Sequence, residues 1–203
     1  MTHVLVPATR LVRWVDNFTG RHGATALSVR EGVLHGTAED GSAFSAGLPF
    51  ATAYEGAPDV ASFLAAAAAP GEWGVLLVRK GGFAVARLRG RDLVEHKIGQ
   101  RHVQGRTKAG GQSQQRFARR RDNQARQAYE AAADHAARIL RPGPVVVGGN
   151  RPAVDEVLAD QRLRGLAVVE PWLPVRDPRR AVLDQAVLDA MSVSIEVVNA
   201  PIG

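Results

Sequence analysis

The feature that most restricts the fold is the stretch from Ser113 to Leu140, in which neither Gly nor Pro occurs. Within it Ala125, Ala128, Tyr129, Ala132, Ala136 and Ile139 recur every three to four residues, the period of one helical face. The chain must therefore house a single helix of about seven turns at 3.6 residues per turn. Strand patterns flank it. Trp73 to Arg79 and Phe83 to Arg89 are strongly apolar segments joined by a Gly81-Gly82 turn, and Leu93 to Ile98 follows as a third antiparallel strand. After the helix come a buried-type strand from Pro144 to Val147, a helix from Pro152 to Asp160 and a strand from Leu166 to Val169. A helix from Pro178 to Met191 and a closing strand from Val193 to Val198 complete the series. Strands paired as hairpins and then alternating with helices predict an α/β (α+β) fold, a mixed sheet with helices on its faces.

The residues before Trp73 follow another pattern. A short strand from Thr2 to Val6 leads through Pro7 into a helix carrying Leu11, Trp14, Val15 and Phe18 on one face. Segments Thr25 to Val29, Val33 to Ala38 and Ala43 to Ala46 alternate around the turn dipeptides Glu31-Gly32 and Asp40-Gly41, which is the signature of a meander. An alanine-rich helix from Pro58 to Ala69 closes at Pro70-Gly71. The expected organisation is a small α+β unit over residues 1–56, a connecting helix over 57–70 and a second domain over 71–203.

Charge singles out one segment. Between Gln100 and Arg141 ten Lys/Arg stand against three acids, an excess of seven, while the whole chain carries +6, so the remainder is slightly acidic. A cationic excess concentrated in this way expects a polyanion. The chain has no cysteine, which removes disulfides and thiolate zinc sites. The apolar runs fall short of the ~20 residues of a membrane span, and the N-terminus lacks the zones of a signal peptide, so the expectation is a cytoplasmic protein without a membrane partner.

The basic segment opens with a loop, Gly99 to Gly111, that has no helical or strand period, and the loop ends in Gly110-Gly111-Gln112. Composition alone yields that tripeptide with a chance of roughly one in ten, so its context decides. The run Gly110-Gly111-Gln112-Ser113-Gln114-Gln115-Arg116-Phe117-Ala118-Arg119-Arg120-Arg121 resembles the catalytic loop and following helix of the eukaryotic and archaeal class-one translation termination factors, whose pattern is Gly-Gly-Gln-Ser-x-x-Arg-Phe-x-Arg-x-Arg. The likeness covers about residues 71–203 and implies an RNase H-like catalytic domain. Those factors also carry domains for reading the stop codon and binding a GTPase, for which this chain has no room. It is in that respect similar to the stand-alone Vms-type release-factor-like (VLRF) group, including its bacterial members, which release peptides from stalled large subunits in ribosome quality control. The resemblance thus implies a codon-independent peptidyl-tRNA hydrolase whose partners are the ribosomal large subunit, rRNA and peptidyl-tRNA.

The residue types suit that chemistry. Two glycines allow positive φ and a close backbone approach to a ribose end, and Gln112 supplies an uncharged amide with both donor and acceptor. Donors that need little reorganisation stabilise an oxyanion best, and a helix starting at Ser113 directs its positive dipole end at the same place. Arg106, Lys108, Arg116, Arg119, Arg120 and Arg126 are the candidate phosphate contacts. No metal ligands and no cofactor are expected. The six histidines form no nucleophile or metal pattern, and the strands Trp73 to Arg79 and Phe83 to Arg89 hold no carboxylate for a two-metal nuclease. The rival reading is a non-enzymatic ribosome or RNA-binding protein that uses the basic helix as an anchor.

Overall fold

Strand β1 (Thr2–Val6) leads into helix α1 (Leu11–His22), where Leu11, Val15 and Phe18 are buried as one stripe at i, i+4 and i+7. Gly23, at φ 92°, ends the helix with its N–H bonded to the Thr19 carbonyl. Glu31 and Gly32, at φ 51° and 77°, provide the two left-handed residues of a tight hairpin turn between β2 (Thr25–Arg30) and β3 (Val33–Ala38). The next turn, into β4 (Ala43–Gly47), is held by the Asp40 carboxylate, which accepts from Ser42 N at 2.8 Å. Helix α2 (Val60–Ala66) is capped by Asp59, whose carboxylate accepts from Ser62 N at 2.8 Å. Leu11, Phe18, Leu34, Phe44, Ala46 and Phe63 pack into one core. Gly36 lies opposite Phe44 on the neighbouring strand, and a Cβ there would stand 2.1 Å from the Phe44 ring.

The computed structural model describes residues 1–100 and 112–201, with side chains of the long helix described from residue 125. Its second sheet contains β5 (Glu72–Arg79), β6 (Gly82–Arg89), β7 (Asp92–Gln100), β8 (Gly143–Gly149) and β9 (Leu166–Leu173) in the order β7-β6-β5-β8-β9. The pairs β5–β6 and β6–β7 are antiparallel, and β5–β8 and β8–β9 are parallel, so β6 alone runs against the others. Counted within this unit the order is 3-2-1-4-5. Helices α3 (Gln112–Ile139) and α4 (Arg151–Leu158) cover one face, where Leu76, Val78, Phe83, Val85, Val145 and Val147 meet Ala132, Ala136, Ile139 and Val154. β5 and β8 are buried almost throughout, as expected of strands enclosed on both faces. Helix α5 (Arg180–Ala190) follows β9.

The last strand, β10 (Val193–Val198), does not join that sheet. It inserts antiparallel between β1 and β4, giving the first sheet the order β1-β10-β4-β3-β2. The two compact units are accordingly Met1–Ala69 with Val187–Gly203, and Pro70–Ala186. The sequence pattern places residues 71–203 in one domain, whereas by contacts the stretch from Val187 onward groups with the first unit. The physical reason lies in the strand's alternation: Val193 and Ile195 are fully buried while Ser194 and Glu196 face the other side. Such a strand fits a sheet with one solvated face, as the first sheet is, and not the doubly buried β5 and β8. Phe63, in the helix expected as a connection over 57–70, is fully buried in the first core.

Candidate functional site

Over residues 125–139 helix α3 packs against its sheet. Ala125, Ala128, Tyr129, Ala132, Ala136 and Ile139 are all buried, so the alanine stripe expected from the sequence is the buried one. Alanine at these positions lets the helix backbone lie close to the strands while costing least in helix propensity. Two contacts set its direction relative to the edge strand β7. His135 stacks on Phe83 with ring centroids 5.5 Å apart, and Phe83 is the cross-strand partner of Gly99. Arg138, one turn further on, is ion-paired with Glu95, several residues back along β7. The helix therefore runs opposite to β7. Going toward its start, it passes the point where that strand ends, and Gln112 lies roughly 35 Å ahead of His135 at 1.5 Å per residue.

Gly99 makes the contact at the root of the loop possible. A Cβ there would come 2.2 Å from Cε1 of Phe83, and one at Gly82 would come 2.5 Å from the Gly99 carbonyl oxygen. The Phe83 ring thus lies over a residue without a side chain and presents its other contact to His135. Burial, followed by the charges of Lys97 and Arg138, pushes the His135 pKa below its ordinary value, so the ring is neutral near pH 7.

Of the candidate catalytic residues, Gln112 is the first residue of α3, one position earlier than the start expected at Ser113. Gly110 and Gly111 lie outside the described residues, as do Arg106 and Lys108. Arg116, Arg119 and Arg120 sit on the first turns of α3, with side chains outside the described set. Arg126 is exposed.

Around this helix many cations are neutralised by acids. Glu72 joins Arg87 at 3.3 Å and Arg89 at 3.1 Å, and Arg87 also faces Glu95 at 3.9 Å. Arg162 bonds both Asp134 of α3 and Asp160 at 2.7 Å, and its hydrogen bonds hold the Asp160 carboxyl down at about 2. Arg179 and Arg180 pair with Asp177 and Asp184. Arg151, at the start of α4, instead lies over the Trp172 ring, 4.2 Å from its centroid. That contact has no sequence signal, because it joins residues from two elements that only the parallel pairing of β8 and β9 brings together. Among the described residues no group of three or more His, Asp or Glu could hold a metal ion, and no helix is long and apolar enough to cross a membrane.

Compared with known proteins, residues 71–196 match the family model described as Actinobacteria/chloroflexi VLRF1 release factor. No curated protein matches the chain. Among solved structures it is similar to an archaeal translation termination factor, with 12% identity and a TM-score of 0.36 over 93% of this chain. The match spans 66% of that factor, just under two thirds of its length.

Proposed function

Since the chain belongs to the Actinobacteria/chloroflexi VLRF1 release factor family, we propose that it is a codon-independent peptidyl-tRNA hydrolase that frees nascent chains from stalled large-subunit complexes. The observation that carries this reading is the position of the Gly-Gly-Gln run inside the matched region, with its glutamine as the first residue of α3.

Gly110 and Gly111 let the backbone come close to the ribose that bears the ester, and Gln112 directs its amide at the attacking water or the terminal ribose. The reaction needs water held in line with the ester carbonyl, and positioning of that kind removes much of the entropic barrier. A backbone N–H near Gln112, backed by the positive end of the α3 dipole, stabilises the oxyanion or the departing ribose oxygen as charge develops. Arg106, Lys108, Arg116, Arg119, Arg120 and Arg126 neutralise phosphates of the tRNA or rRNA. The RNase H-like reading of the second unit belongs to this proposal too, supported by its 3-2-1-4-5 strand order with the second strand reversed.

The test is release of labelled peptide from large subunits carrying peptidyl-tRNA. Gln112→Ala keeps the backbone N–H and removes the amide that positions the water, so it is expected to slow release by about 10²-fold and to leave binding unchanged. A wild-type chain that binds these subunits and releases nothing is an anchor, and the hydrolase reading is then wrong.

A further inference from the structure

The end of the second sheet from which the basic loop departs collects further cations. Because only β6 is reversed, the ends of β5, β8 and β9 and the β5–β6 turn lie together: Val78 pairs with Gly149, Gly148 with Leu173, and Gly82 with Gln100. Gly149, at φ 105°, packs so tightly that a Cβ would stand 2.2 Å from the Val78 carbonyl oxygen. The same carbonyl accepts from Asn150 N at 2.8 Å. The start of α4 is thereby fixed against the end of β5, with Arg151 one residue beyond Asn150 and Lys80 two beyond Val78.

Helices α3 and α4 extend this arrangement. Val154 and Val157 of α4 share one core with Tyr129 and Ala132 of α3, and Arg162, just after α4, bonds Asp134 at 2.7 Å. The two helices therefore run side by side in the same sense, and the start of α4 comes level with the stretch of α3 that holds Arg126. Lys80, Arg126 and Arg151 are all exposed, and Arg151 is already ordered by its stacking on Trp172. The nearest acids of α4, Asp155 and Glu156, lie a turn further along that helix.

We infer that Arg126, Arg151 and Lys80 form a track that carries an RNA backbone from the arginine-rich start of α3 across to the end of the second sheet. A guanidinium stacked on an indole keeps its N–H edge free for a phosphate and loses less rotamer freedom on binding than an unstacked one. The choice of RNA as the polyanion rests on the hydrolase reading; the track itself rests on the register and the helix pairing.

The probe is a fluorescein-labelled RNA hairpin with a single-stranded CCA end, titrated with the full chain over a range of KCl. In the Lys80→Gln/Arg151→Gln double variant, the slope of log Kd against log [KCl] should fall by about 1.4–1.8, since each phosphate contact contributes roughly 0.7–0.9. Arg91→Gln/Arg164→Gln removes the same charge from exposed residues at the opposite end of the sheet, and should leave the slope near that of wild type. Equal slopes for the two double variants overturn the inference. Peptide release by the wild-type chain is scored separately. A chain that binds the hairpin through these cations but releases no peptide keeps the track and loses the hydrolase reading. A releasing chain whose Lys80/Arg151 variant binds as wild type does loses the track alone.

Discussion

Single glycines decide close contacts that larger residues could not make. Gly36 beneath Phe44 and Gly99 beneath Phe83 are two instances of one device, an aromatic ring folded over a strand position without a Cβ. Gly99 bears on the proposed site because the Phe83 ring beside it also contacts His135 of α3. Gly99→Ala is expected to destabilise the chain by about 1–3 kcal/mol, the usual cost of overpacking a filled core, since Phe83 is 5% exposed and has little space to retreat. Urea unfolding reads this as a lower midpoint, and an unchanged midpoint would show that the ring moves freely. At this scale the proposed site, Gly110, Gly111 and Gln112, is read from the sequence alone, from its residue types and the basic context around them. The sequence was silent about Gly99 and about Arg151 over Trp172, whose roles exist only once strands are in register.

Among the elements, α3 links structure to function. Its buried stripe was legible because period 3.6 needs no tertiary context, and its burial from Ala125 to Ile139 follows the expected residues. The charge pairing around it was not legible: Arg138 finds Glu95 and Asp134 finds Arg162, each from a distant part of the chain. Arginines so paired are poor candidates for RNA contact. Arg119→Glu/Arg120→Glu is expected to weaken large-subunit association and to lower its salt slope by about 1.4–1.8, because each lost phosphate contact contributes roughly 0.7–0.9. A salt titration that superimposes on wild type would mark these arginines as bystanders.

For the whole molecule the decisive fact is the return of the chain's last strand to the first sheet. β10 separates β1 from β4, and its Val193 and Ile195 complete a core begun by residues near the N-terminus. Ile195→Ala is expected to cost about 2–5 kcal/mol, the range for truncating a fully buried aliphatic side chain. Amide hydrogen exchange should show the loss in β1 and β4. If their protection is unchanged, β10 does not hold that sheet together. The sequence by itself determined the elements, the mixed character of the fold and the place where a glycine-rich loop meets a cationic helix, because these depend on local periodicity, turn chemistry and charge counts. Only the tertiary structure decided which sheet receives the last strand, which arginines are neutralised and which cations gather at the end of β5. Each of those depends on pairing between residues far apart in the chain, and local pattern carries no record of such pairing.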